Sequence, residues 1–184
     1  MKELPSKWNL VGEKKIFECP FLGLYERRFS HPVDHREGLF YIVDSKDWVQ
    51  IIAVTSEKNI VLVKQFRFGI EQLSLETPGG IIDPNEDPIH AAVRELSEET
   101  GYAGKKPRYL TSLYPNPALQ NNRLHIVLIE QCRKIEAQHL DPNEEIVCQE
   151  ASLQDCLEKI SSGEINHGIA ILALLTYANY CHEF

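Results

Sequence analysis

The sequence predicts an α/β fold, an α/β/α sandwich with a strand-rich N-terminal extension, and three observations predict it. Short β-prone runs crowd the chain as far as Phe66, a strongly periodic helix follows the break Pro78-Gly79-Gly80, and further strands precede two more helices near the C-terminus. With 184 residues the chain suffices for one domain, or one domain plus a small appendage, and its core needs no disulfide or metal staple.

Taken in order, residues 15–19 and 23–30 form a hairpin about Pro20 and Gly23, and 31–38 is a polar turn region. Strands follow at 40–43 and 49–55. Residues 60–66 are a nearly continuous apolar run of the kind covered on both faces. After Pro78-Gly79-Gly80 the clearest helix spans Pro88–Thr100: Pro88 suits the first turn, Asp87 can cap it and Gly101 stops it. Ile89, Ala92, Val93, Leu96 and Thr100 recur at helical spacing as its buried stripe. Strands at 108–113 and 124–129 flank a loop rich in Pro and Asn. A polar loop at 139–145, a strand at 146–149, a helix from Ser152 to about residue 161 ended by Gly163, and an apolar helix at 166–180 complete the chain.

The net charge of −8 argues against a general nucleic-acid binder, because an acidic surface repels a phosphate backbone. A small phosphorylated ligand is compatible where cations mediate the contact. Five widely spaced cysteines with no C-x-x-C pair read as reduced thiols of a cytoplasmic protein. The first ten residues hold no signal-peptide core, and the longest apolar stretch, 169–175, is too short to cross a membrane.

Glu95, Glu98 and Glu99 project from one side of the helix, where like charges cost about 0.2–0.5 kcal/mol per pair. Two readings fit: a solvated acidic face, or a site for a hard divalent cation, which wants several oxygen ligands. The surrounding residues separate them. Gly80, Glu86, Arg94, Glu95, Leu96, Glu98, Glu99, Gly101 and Tyr102 resemble the Nudix signature G-x5-E-x7-R-E-U-x-E-E-x-G-U at every defining position, U being a bulky apolar residue.

The resemblance implies a role for each. Gly80 lets the loop turn tightly into the helix, and the Gly79 carbonyl can ligate metal. Glu95 and Glu99 are the principal ligands of Mg²⁺ (or Mn²⁺), and Glu98 is a further ligand and a member of the catalytic set. Arg94 orients Glu86 or a helix carboxylate, while Leu96 belongs to the core. Residues 63–67 and 75–80 resemble the V-x-Q-Y-R and E-x-P-x-G elements of ADP-ribose and nucleotide-sugar pyrophosphatases. Arg67 would then touch a phosphate or terminal sugar and Glu76 would help position ligand or metal. Trp48 and Phe66 could stack on a base or lie in the core. Pro117 stands near the proline that marks the ADP-ribose subgroup, but loop 116–122 lacks the Pro-Gly and acidic residues often found there, so the sugar stays open. Loop 141–145 resembles the mobile loop carrying the general base, with Glu144 first and Glu145 second.

The family's fold implies a mixed sheet in the sandwich. It also implies two regions: 1–48, antiparallel and exchanged across a homodimer, and 49–184, the Nudix domain. The expected reaction is Mg²⁺-dependent hydrolysis of the pyrophosphate bond of ADP-ribose or another nucleoside diphosphate sugar, giving a nucleoside monophosphate and a sugar phosphate. The alternatives are a Nudix hydrolase of dinucleoside polyphosphates or nucleoside triphosphates, or a non-catalytic nucleotide sensor. Retention of every signature carboxylate speaks against the sensor.

Overall fold

The computed structural model describes residues 4–182. Strands β1 (Asn9–Glu18), β2 (Leu22–Ser30) and β3 (Glu37–Ser45) form an antiparallel meander. β1 starts well before residue 15, because Glu13 pairs with Arg27 and Asn9 with Ser30. That polar segment has no apolar alternation, so its strand character comes from the partner strand; an ion pair from Arg27 Nε to Glu13 Oε2 at 2.6 Å adds to it.

The larger sheet contains β4 (Trp48–Thr55), β5 (Asn59–Arg67), β6 (Gln72–Glu76), β7 (Gly79–Ile81), β8 (Tyr102–Leu113), β9 (Leu124–Lys134) and β10 (Ile146–Ser152). Its order is β10-β5-β4-β9-β8, with β6 beside β5 and β7 beside β4. β4 and β9 run parallel and the other pairs antiparallel, so the sheet is mixed.

Helices α1 (Pro88–Thr100), α2 (Leu153–Ser162) and α3 (Gly168–His182) supply the outer layers. Successive side chains of a strand point to opposite faces, and β4 divides accordingly. Ile51 and Ala53 join Val61, Val127 and Ile129 against Ala91, Ala92 and Leu96 of α1. Ile52 and Val54 join Leu62, Ile126 and Leu128 against Cys156 of α2 and Ala173 and Leu174 of α3. Each fully buried Leu or Ile contributes roughly 1.5–3 kcal/mol, so the central strands dominate the core. This is the α/β/α sandwich expected.

Several elements differ from expectation for identifiable reasons. β7 lies on the expected break Pro78-Gly79-Gly80, and β6 in a stretch for which the sequence predicts no element. β8 begins at Tyr102, six residues early, through the polar stretch Gly104-Lys105-Lys106-Pro107, which pairs with β9 only by way of register shifts. By contrast, α2 lies where expected, capped by Ser152 in a capping box with Asp155 and closed by Gly163 at φ 81°.

The chain divides into two compact units: residues through Lys46 together with Tyr114–Arg123, and Asp47–Leu113 with the chain from Leu124 onward. Within the first, the loop after β8 is tied to β3. The Val43 N–H donates to Leu119 O at 2.8 Å, and the Asn121 side chain donates to Asp44.

Candidate active site

Helix α1 is set as its ends dictate. Asp87 Oδ1 accepts from the Ile89 N–H at 2.9 Å, Pro88 fills the first turn, and Gly101 closes the helix at φ 72°. Ala91, Ala92, Leu96 and Thr100 are buried, but Val93, expected in the stripe, is 46% exposed. The helix is rotated so that a carboxylate takes part of the buried face. Glu99 is only 5% exposed, the Glu95 side chain 14% and the Glu98 side chain 45%. A uniformly solvated acidic face is therefore ruled out.

Gly79 and Gly80 explain how the carboxylates are received. Both lie in β7, and neither has a positive φ. Their lack of a side chain serves close approach, and the turn into α1 falls instead at Asp83–Glu86, with Asn85 at φ 67°. That corrects the turning role expected of Gly80. A Cβ on Gly79 would meet Val49 O at 2.3 Å, and one on Gly80 would meet the Glu95 carboxyl carbon at 2.4 Å. The Gly79 N–H donates to Glu99 Oε2 at 2.9 Å. Buried Gln50 fixes the approach to this pair, its Nε2 donating to Thr77 O at 2.6 Å and Thr77 Oγ1 at 2.7 Å. Gln50 escaped the sequence reading, although one amide inside the apolar run of β4 was a visible signal.

Arg94 ties the helix to the loop before it. Nε and Nη2 form a fork with Glu86, at 2.9 and 2.8 Å, and Nη2 also donates to Ile81 O at 3.2 Å. Nη1 donates to Glu95 at 2.9 Å and to Glu98 at 3.0 Å. The Arg94 hydrogen bonds hold the Glu86 carboxyl below the usual carboxylate range, against a smaller effect of burial. Glu95 moves the other way, because burial outweighs Arg94. Burial pushes the Glu99 carboxyl up to about 8, and the charges of Glu95 and Glu144 add to it against the Gly79 hydrogen bond and Arg67.

Beside this helix face opens a cleft of about 1100 Å³ lined by Trp48, Phe66, Arg67, Gly79, Gly80 and the loop from Asp141 to Glu145, among others. Its size suits a nucleotide-sized ligand. Trp48 is half-buried on β4, while Phe66 at the end of β5 is exposed and packs edge-on against Phe68, 5.2 Å between ring centres. Both residues line the cleft, and the exposure of Phe66 removes its core reading. Arg67 donates through Nε and Nη2 to the fully buried Glu76, at 2.8 and 2.6 Å. Arg67 and Glu76 are thus partners, with Nη1 of Arg67 left over. Glu144 Oε2 accepts the Asp141 N–H at 3.0 Å, which closes a tight loop, and Glu145 lies beside it on the cleft wall.

Among the described residues no three His, Cys, Asp or Glu side chains form a ready-made metal cage. Glu95 and Glu98 are held by Arg94 and Glu99 by Gly79. The donor set nonetheless fits a hard divalent cation: oxygen ligands only, from a helix face whose buried member is short of positive charge.

Residues 46–166 match the NUDIX domain. The chain belongs to the Nudix family. A protein named ADP-ribose pyrophosphatase from Bacillus subtilis (strain 168) is 33% identical to this Nudix chain over 166 residues, covering 90% of it and 88% of the relative. A methanol dehydrogenase activator from Bacillus methanolicus is 33% identical over 127 residues, covering 68% and 69%. A crystal structure of an ADP compounds hydrolase superposes with a TM-score of 0.87 at 16% identity, covering 99% of this chain and 98% of its own, a likeness of fold. Membership in the Nudix family accounts for the conjunction of Gly80, Glu86, Arg94 and the three glutamates, which the structure ties together through Arg94 and through the close approach of Gly79 and Gly80 to Glu99 and Glu95.

Proposed function

We propose that this Nudix chain hydrolyses the pyrophosphate bond of ADP-ribose or another nucleoside diphosphate sugar, giving a nucleoside monophosphate and a sugar phosphate. The observation that carries this is the inward-turned helix face, with Glu99 buried against the Gly79 N–H at 2.9 Å beside an open cleft. The 33% identity to an ADP-ribose pyrophosphatase over 90% of the chain supports the substrate class.

Mg²⁺, or Mn²⁺ in its place, would be held by Glu95, Glu98, Glu99 and the Gly79 carbonyl. When bound, such an ion neutralises pyrophosphate oxygens and makes water more acidic. The protein's own groups do the remainder. Arg94 and Glu86 hold the ligand carboxylates in place, and Gly80 leaves room for Glu95. The free edge of Arg67, oriented by Glu76, meets a phosphate or the terminal sugar, and Trp48 and Phe66 offer faces for the base.

Glu144 takes the proton from the attacking water, with Glu145 the second candidate. Glu144 is favoured because its charge acts on Glu95, Glu99 and Arg67 together. We further propose a homodimer that exchanges the N-terminal antiparallel region, 1–48, around Nudix domains of 49–184. Support comes from the exposed apolar side chains of that region, among them Leu10, Ile16, Phe17 and Phe21. Five free cysteines support a reducing, cytoplasmic setting, and no helix among the described residues is long and apolar enough to cross a membrane.

Incubation of the purified protein with Mg²⁺ and a panel of nucleoside diphosphate sugars, dinucleoside polyphosphates and nucleoside triphosphates tests the reading. The highest kcat/KM is expected for a nucleoside diphosphate sugar. No turnover of any such sugar refutes it.

A further inference from the structure

His167 lies outside the Nudix signature and has no part in the hydrolytic step just described. It is firmly placed. Ile165 is fully buried and its N–H donates to Lys159 O at 3.0 Å, while the His167 carbonyl accepts the Ile171 N–H at 3.0 Å at the start of α3. The ring forms part of the cleft wall along with Arg67. Nδ1 stands 3.2 Å from Glu76 Oε2, close but not aligned as a formed hydrogen bond, and it is shut off from solvent. The side chain as a whole is 31% exposed, so its open edge is the opposite one, which carries Nε2.

Glu76 decides what that edge can do. Its carboxylate is fully buried and held ionised by two hydrogen bonds from Arg67. A lone pair on Nδ1 would face a negative oxygen, whereas an N–H there is attracted to it, so the neutral ring carries its proton on Nδ1. Burial holds His167 below the ordinary histidine range, against the pull of Glu76, and so keeps the ring neutral. Nε2 is then an acceptor at the cleft surface. An acceptor repels phosphate oxygens and accepts a hydrogen bond from a hydroxyl; Arg67, sharing the same carboxylate, is the donor suited to phosphate.

We infer that His167 is a substrate-binding residue whose Nε2 accepts a hydrogen bond from a sugar hydroxyl of the ligand. Glu76 is then a positioning residue that sets Arg67 and His167 side by side, so that a phosphate and a hydroxyl a few bonds away are recognised together. The inference rests on the substrate class proposed above.

The whole protein is tested with ADP-ribose as the probe, by calorimetry in EDTA for binding and with Mg²⁺ for turnover. His167→Phe keeps the packing of the ring and removes Nε2. Both Kd and KM are expected to rise about tenfold, the scale of one lost hydrogen bond, with kcat changed by less than about threefold. His167→Gln, whose amide oxygen can accept, is expected to recover part of the affinity. Nitrogen-15 NMR of the ring in the free protein is expected to find the Nδ1–H tautomer. An unchanged Kd in His167→Phe, or the Nε2–H tautomer, overturns the inference. Because binding is also read without metal, a wild-type protein that binds ADP-ribose and fails to hydrolyse it with Mg²⁺ contradicts the proposed activity alone; one that neither binds it nor turns it over with Mg²⁺ overturns both.

Discussion

A methyl group on Gly80 would stand 2.4 Å from the carboxyl carbon of Glu95 and 2.4 and 2.5 Å from its oxygens, its nearest neighbours. The obstacle is the end of a flexible side chain, so Gly80→Ala can be accommodated, but only if the carboxylate retreats by roughly 1 Å to ordinary contact. Moving it also loosens the 2.9 Å bond from Arg94 Nη1. A displacement of about 1 Å in a catalytic constellation costs on the order of a hundredfold in rate. The fold loses little: off-rotamer strain of about 0.5–1.5 kcal/mol lowers the Tm of a domain this size by a few degrees, about 2–4 °C per kcal/mol. The expected outcome is thus a folded protein with kcat/KM for ADP-ribose reduced about 100-fold. Phosphatase-coupled release of phosphate measures the first quantity and thermal circular dichroism the second. A Gly80→Ala enzyme within about threefold of wild type would refute the reasoning that Gly80 exists to seat Glu95. Gly79→Ala is the contrast, since its methyl would meet the backbone oxygen of Val49 at 2.3 Å and no side chain can yield; overpacking of this kind costs about 1–3 kcal/mol or more, so this variant is expected to melt several degrees lower.

Further outcomes can be checked alongside. Glu144→Gln is expected to lower kcat by about 10²–10⁴ with a smaller change in KM, and Glu145→Gln to do much less; equal effects in steady-state kinetics would remove the preference for Glu144. Arg94→Lys keeps the charge and loses the fork to Glu86, so the Mg²⁺ concentration for half-maximal rate is expected to rise about 10–100-fold, read from a metal titration. Burial keeps His167 below 6.5 in the folded chain, and Arg67, acting against burial, keeps Glu76 below 4.5. At these two groups the unfolded chain therefore binds more protons than the folded one as the pH falls through 6.5 and through 4.5, whereas Glu99, pushed up to about 8, binds its proton first in the folded chain. His167 and Glu76 are each expected to lose stability on acidification and Glu99 to gain it, so the His167 contribution is read as a difference: between pH 7 and pH 5.5 wild type is expected to lose melting temperature relative to His167→Phe, and an equal change in the two proteins would contradict the placement.

Helix α1 was legible down to its caps, because Asp87, Pro88 and Gly101 act locally and the apolar repeat is strong. The glutamates were legible as a set, whereas their unequal burial was not: rotation of α1, which buries Glu99 and exposes Val93, depends on β7 and on the space left by two glycines. Pro78-Gly79-Gly80 reads as a breaker in any local scheme, and only the pairing of Gly79 with Gln50 and Gly80 with Val49 makes it a strand. The partnership of Arg67 with Glu76 was hidden for a similar reason. Both residues were visible as separate motif positions, but their fork forms because β5 and β6 pair as a hairpin. His167 carried no signal of its own, since a single histidine before a helix says nothing until β6 brings a buried carboxylate to it.

The most direct measurement is the Mg²⁺-dependent cleavage of ADP-ribose by wild type and Glu99→Gln, with products identified by phosphorus-31 NMR. Glutamine can still accept the Gly79 N–H and removes a buried carboxylate pushed up to about 8, so the variant should fold at least as well as wild type without metal. Wild type is expected to yield AMP and ribose 5-phosphate, and the variant to lose at least about two orders of magnitude in kcat, the loss anticipated for a missing ligand. Equal rates in the two proteins would contradict the assignment of the inward-turned helix face as the metal-binding centre of the reaction.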